Sequence, residues 1–148
     1  MKTVNKFSLR FPSRSANESF ARTVVSAFAS QLDPTIEEIS DIKTAVSEAV
    51  TNSIVHAYAD RVGDIYITCE QYDSGVIRIK IRDKGCGIED VKKAMEPLYS
   101  SGGADRAGLG FSVMESFMDS LRVSSKLGKG TTVTMRKQLS VNKNDRKK

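Results

Sequence analysis

Two runs of strictly alternating residues constrain the fold of this chain more than any other feature. Ile65, Ile67 and Cys69 alternate with Tyr66, Thr68 and Glu70, and Ile77, Ile79 and Ile81 alternate with Arg78, Lys80 and Arg82. A strand sends successive side chains to opposite faces, so each run buries one side and leaves the other in water. The turn Tyr72-Asp73-Ser74-Gly75 joins them as an antiparallel hairpin. An earlier run, Val4 to Phe11, carries Phe7, Leu9 and Phe11 on one side and stops at Pro12. Arg122 to Ser125 and Thr131 to Arg136 predict a closing hairpin around Leu127-Gly128-Lys129-Gly130.

Helices fill the gaps. Ser15 with Glu18 and Thr35 with Glu38 both have the spacing of a capping box. The first predicts a helix on which Phe20, Val24, Ala27, Phe28 and Gln31 share a face, ended by Asp33-Pro34. The second opens a long helix, Ile36 to about Tyr58, whose apolar face is Ile39, Ile42, Val46, Ala49, Val50, Ser53 and Ala57. A short helix around Glu89 to Met95 and another from Phe111 to Phe117 flank a Gly/Ser-rich stretch, Ser100 to Gly110. Clustered strands, consecutive hairpins and interrupting helices predict an α+β fold, a two-layer sandwich with helices on one face of a mainly antiparallel sheet. No repeat or linker divides the chain, so residues 1–137 are read as one domain and 138–148 as a basic tail.

At 148 residues, with 39% hydrophobic and 28% charged residues, the chain has the composition of a soluble domain with its own core. No stretch reaches the roughly 18 apolar residues of a membrane span, and the N-terminus lacks the pattern of a secretory signal; the expected compartment is the cytoplasm. The net charge of +5 owes much to the last six residues, Lys143 to Lys148. No basic stripe interleaved with aromatics is visible, so direct nucleic-acid binding is not expected. Cys69 and Cys86 read as buried or half-buried thiols, and with His56 alone they make no zinc set.

Three places break the structural pattern, and such breaks mark functional sites. On the long helix, Glu48, Asn52 and His56 stand four residues apart, so a carboxylate and an amide sit one turn from each other. That pair can present oxygens to a water, a hydroxyl or a metal ion, or be ordinary solvated helix residues; His56 is read as structural. Asp83 follows Ile77, Ile79 and Ile81 with the same parity, which turns an acid inward, where it needs a hydrogen-bond donor. Gly85 and Gly87 come directly after it and allow a close backbone approach to a flat ligand. Ser100 to Gly110 ends in Gly108-Leu109-Gly110 just before the predicted helix, a place where backbone N–H groups bind phosphate. Gly128-Lys129 lacks the rest of a Walker A loop, Gly85-Cys86-Gly87 has Asp90 where a dinucleotide fingerprint needs glycine, and no His-Arg-Asp or Asp-Phe-Gly occurs.

In this order, Glu48-x-x-x-Asn52, Asp83-x-Gly85-x-Gly87, Gly108-x-Gly110 and Gly130-Thr131 resemble the GHKL ATPase superfamily of gyrase, heat-shock-protein-90 and histidine-kinase ATPase domains. The segment from Ser47 to Tyr58 is similar to the N-box helix of the bacterial anti-sigma factor serine kinases. Asn17 to Arg22 and Met114 to Asp119 resemble the sporulation branch of that family. The resemblance runs from about Ser8 to Lys137. It implies an ATP-dependent serine/threonine protein kinase that sequesters a sporulation sigma factor and phosphorylates an anti-anti-sigma protein on serine. A general-stress kinase of the same family, a nucleotide-dependent binding module without turnover and an isolated histidine-kinase domain are the alternatives. By the same resemblance, Glu48 is the general base and Asn52 a ligand of Mg²⁺. Asp83 accepts from the adenine amino group, Gly85 and Gly87 pass close to the base, and the Thr131 hydroxyl assists near Asp83. Gly108, Leu109 and Gly110 line the triphosphate of ATP, and Arg106 is the lid residue for the γ-phosphate. Arg22 docks the partners, and Val55 is compatible with the family's homodimer.

Overall fold

The computed structural model describes residues 2–96 and 104–140, and of residues 104–109 only the backbone. Five strands, β1 (Thr3–Pro12), β2 (Asp64–Tyr72), β3 (Val76–Asp83), β4 (Ser120–Lys126) and β5 (Gly130–Gln138), form one sheet in the order β1-β2-β3-β5-β4. Every neighbouring pair is antiparallel. The register places Leu9 opposite Ile67 and Ile67 opposite Ile81, and pairs Ile81 with Val133. Apolar rows therefore run across the sheet on one side only. Ile65, Ile67, Ile77, Ile79, Ile81 and Met135 are all 2% exposed or less. At about 25 cal/mol per Å² of apolar surface, each such isoleucine contributes on the order of 2–3 kcal/mol before entropy is counted. The opposite parity gives the open face Lys6, Arg10, Tyr66, Arg78, Lys80, Arg82, Arg122 and Arg136, where the Arg82 guanidinium lies 4.7 Å from the centre of the Tyr66 ring.

The helices are α1 (Ala16–Ala29), α2 (Ile36–Asn52), α3 (Val91–Ala94) and α4 (Ala104–Phe117), and α2 lies against both α1 and α4. The start of α2 matches its sequence signature. Thr35 Oγ1 accepts from the Glu38 N–H at 3.1 Å, and the Thr35 N–H donates back to Glu38 at 2.9 Å. The other carboxylate oxygen of Glu38 accepts the Ser140 N–H at 2.9 Å. Burial works against it, but these bonds hold the Glu38 carboxyl below the usual carboxylate range.

Four expectations are corrected. Ser15 makes no side-chain cap; its intended partner, Glu18, instead accepts a hydrogen bond from the Ser47 hydroxyl on α2. The buried stripe of α1 is Ala21, Val25, Phe28 and Ala29 rather than the face traced through Phe20, Val24 and Ala27, and Phe20 is 48% exposed. The long helix is α-helical only to Asn52. Residues Ser53–Ala57 form a π turn in which the Tyr58 N–H reaches back to the Ser53 carbonyl at 3.0 Å. The last helix begins at Ala104, not near Phe111, so Gly108, Leu109 and Gly110 lie within α4. Ser100 to Gly103 and the tail beyond residue 140 lie outside the described residues.

Candidate functional site

The inward parity of Asp83 brings a carboxylate to the end of β3 beneath α2, where it is 5% exposed. A buried acid there requires donors, and three are present. Asp83 Oδ1 accepts the N–H of Gly85 at 3.0 Å and of Thr131 at 3.1 Å, and Oδ2 accepts the Ser53 hydroxyl at 3.0 Å. The Thr131 hydroxyl does not join them: it is 2.8 Å from Ser125 Oγ, which also accepts the Ile88 N–H at 2.8 Å. Thr131 thus serves Asp83 through its backbone, not its side chain as the resemblance implied.

The loop after Asp83 is clamped to the π turn. Cys86 N–H donates to the Ala57 carbonyl at 3.1 Å, and Lys84 N–H donates to the Tyr58 hydroxyl at 2.6 Å. Tyr58 in turn donates to the Asp64 carbonyl at 2.7 Å. Burial pushes the Tyr58 phenol above its ordinary range. A π turn closes the helix at its C-terminus; here it hands the Ala57 carbonyl to the loop. Gly85 is confined by that contact, since a Cβ would overlap the Ala57 carbonyl oxygen. Gly87 has φ +75° and turns the chain against Lys126 at the β4–β5 corner, where Gly128 N–H meets the Cys86 carbonyl at 2.7 Å.

These elements enclose a cavity of about 200 Å³ whose lining includes Ala49, Asn52, Asp83, Gly87, Phe111 and Val133. Its walls are mainly apolar, with Asp83 and the Asn52 amide among its polar groups. That is the composition of a small-molecule pocket, apolar walls with a few placed polar groups. Cys86 lines it too and is exposed, which corrects the expectation of a buried or half-buried thiol; Cys69 is buried, and burial pushes its thiol up to about 12.

Glu48 and Asn52 converge on α4. A Cβ placed on Gly110 would lie 3.1 Å from the Asn52 amide and 3.2 Å from Glu48 Oε2, so the bare backbone of Gly110 leaves the space those groups occupy. Asn52 Nδ2 is buried and has no hydrogen-bond partner among the described residues. Amide nitrogen and oxygen are assigned from their bonding partners, so that position suits the amide oxygen equally. One carboxamide oxygen fits Mg²⁺, which takes few protein ligands and completes its shell with water and phosphate. No cluster of three or more His, Cys, Asp or Glu side chains suited to a resident metal occurs among the described residues.

The sequence-predicted residues fall at distinct places in the structure. Asn52, Asp83 and Gly87 line the cavity, Gly85 and Thr131 hold Asp83, and Glu48 stands one turn before Asn52 against Gly110. Arg106, Gly108 and Leu109 enter the described structure only as backbone of α4. Arg22 is on α1, 41% exposed and 3.6 Å from Glu18, whose carboxylate bonds Ser47, the residue before Glu48. Sequence reasoning missed Ser53, Tyr58 and Ser125 as supports of the site. Ser53 carried a usable signal, being the one hydroxyl on the apolar face of its helix.

Residues 11–137 match the family model of the histidine kinase-like ATPase domain. Over 140 residues the chain is 58% identical to an anti-sigma F factor of Caldanaerobacter subterraneus subsp. tengcongensis, covering 94% of this chain and 97% of that protein. It is also 58% identical over 137 residues to an anti-sigma F factor of Clostridium novyi, covering 91% and 95% of the two chains. Among solved structures, one of the RsbU and RsbW domains of a Mycobacterium tuberculosis protein aligns with a TM-score of 0.70 at 20% identity, over 94% of this chain and 34% of that one. A blue-light-activated histidine kinase of Erythrobacter litoralis gives a TM-score of 0.59 at 22% identity, over 82% of this chain and 42% of that one. At these identities the structural likeness is one of fold.

Proposed function

Since the chain belongs to the histidine kinase-like ATPase domain family and, within it, to the anti-sigma F factors, we propose that it is an ATP-dependent serine kinase. In this reading it sequesters a sporulation sigma factor and phosphorylates that factor's anti-anti-sigma protein on serine. One observation carries the enzymatic half: a buried, fully braced acceptor, Asp83, shares a cavity with Asn52, and Glu48 stands one helical turn from Asn52.

The adenine ring lies among Ala49, Phe111 and Val133 with its amino group donating to Asp83. Gly85 and Gly87 keep the loop backbone close to the ring edge. Asn52 holds Mg²⁺, which when bound neutralises phosphate charge and orients the terminal phosphoryl group. Phosphoryl transfer depends on positioning and charge stabilisation more than on covalent help from the protein. Glu48 accepts the proton of the substrate serine hydroxyl as its oxygen attacks the γ-phosphorus and the bond to the bridging oxygen of ADP breaks. Gly108, Leu109 and Gly110 line the phosphates, and Arg106 contacts the γ-phosphate. Arg22, half-buried on α1, docks the protein partners, and the chain works as a homodimer.

Incubation with labelled ATP, Mg²⁺ and the anti-anti-sigma protein tests the proposal. Label on a serine of that protein, lost with Glu48→Ala while ATP binding persists, is the expected result. ATP binding without transfer by the native chain refutes the kinase and leaves a nucleotide-dependent binding module.

A further inference from the structure

We propose that Ser53 is a positioning and specificity residue for the purine base, acting through Asp83; this rests on the nucleotide reading of the cavity. Ser53 is 4% exposed, lines the cavity and donates its hydroxyl to Asp83 Oδ2 at 3.0 Å. The two oxygens of a carboxylate offer about four acceptor positions. Oδ1 is committed to two backbone donors, Gly85 N–H at 3.0 Å and Thr131 N–H at 3.1 Å. Oδ2 receives Ser53 alone among the described residues, so its remaining lone pair is the one left for a ligand. Ser53 fixes where that lone pair points.

The arrangement also defines what the site refuses. The Ser53 proton is spent on Asp83, so the pair presents an acceptor to the incoming base. A 6-amino purine satisfies it, whereas a 6-oxo purine sets oxygen against oxygen. Sites built to hydrogen-bond a substrate group reject analogues that lack it strongly, because the buried partner is left unpaired. Without Ser53, Oδ2 remains an acceptor but loses the bond that fixes the direction of its free lone pair, and affinity for the amino group falls.

The test measures nucleotide affinity by calorimetry for the full chain and its Ser53→Ala variant, using ATP and purine riboside triphosphate, which lacks the 6-amino group. Ser53→Ala is expected to weaken ATP about tenfold, the scale of one hydrogen bond, and to leave purine riboside triphosphate within about twofold. Ser53→Cys, nearly isosteric but a poor donor, gives the same contrast if the alanine variant does not fold. Equal weakening of both nucleotides, or of neither, overturns the proposal. Asp83→Ala separates the two levels: loss of ATP binding there with no selective effect at Ser53 refutes only this inference. Unchanged ATP binding in Asp83→Ala refutes the nucleotide reading as well.

Discussion

At the Asp83 end of the cavity the carboxylate has three donors, the loop after it is tied to Ala57 and Tyr58, and Gly85 sits where no side chain fits. At the Glu48 end the Asn52 amide nitrogen has no partner among the described residues, and both side chains come close to the bare backbone of Gly110 on α4. The first end is complete within the chain, and in the proposed reading Mg²⁺ and nucleotide complete the second. A prebuilt acceptor binds a base at low ordering cost. A buried amide held without a partner is preorganised for a charge that arrives with the substrate. Substitutions at the two ends therefore have opposite signatures: at the Asp83 end binding and stability fall together, and at the Glu48 end turnover falls while the fold persists.

The sharpest test of that contrast is Glu48→Ala, expected to lower the rate of phosphoryl transfer by about 10²–10⁴, the value of a positioned base. Its thermal midpoint and ATP affinity stay near those of the native chain; a large drop in either would erase the distinction. Asp83→Ala comes next. It strands the Ser53 hydroxyl and the Gly85 and Thr131 N–H groups, so chemical denaturation is expected to show a loss of about 2–3 kcal/mol, with ATP affinity falling in parallel. Gly110→Ala presses on both Glu48 and Asn52. Those side chains must give by a few tenths of an ångström, and a several-fold fall in kcat with an unchanged melting curve is expected.

The smallest effect is at Tyr58. Its phenol is raised by burial, so the folded state holds the proton more tightly than the unfolded one. The associated stability is fully present below the ordinary tyrosine value of about 10 and is lost as pH rises through the higher folded value. Tyr58→Phe is expected to flatten that alkaline limb in a pH series of denaturation curves and to weaken ATP slightly, since Lys84 N–H loses its acceptor.

What the sequence reveals of this molecule divides along the range of the interactions. Period-two alternation predicts β2 and β3 and puts Asp83 on the buried side, because parity is a local property of a strand. Thr35 and Glu38 lie within one turn, and their reciprocal bonds form as the spacing predicts. Ser15 and Glu18 have the same spacing, yet Glu18 is claimed by Ser47, 29 residues further along the chain, and a contact of that span leaves no mark on the local pattern. The start of α4 is hidden for a related reason. Gly102, Gly103, Gly108 and Gly110 argue against a helix at about 1 kcal/mol each in a helix interior, but the last two are helical here, and packing against α2 outweighs propensity. The donors to Asp83 show both sides of the matter. Parity demands that they exist, while their identity as Ser53, Gly85 and Thr131 depends on how three separate elements meet.

The π turn at Ser53–Ala57 has a consequence for lineages of this chain. It amounts to one residue more than an α-helix needs, so deleting any one residue there would restore regular winding and lengthen the helix. The deletion takes out the wide turn that brings the Ala57 carbonyl and the Tyr58 hydroxyl to the Cys86 and Lys84 N–H groups, so the clamp on that loop is lost. The deletion that most improves the helix thus releases the loop that walls the cavity. Length variation among descendants is then expected in the β2–β3 turn and not in these five residues.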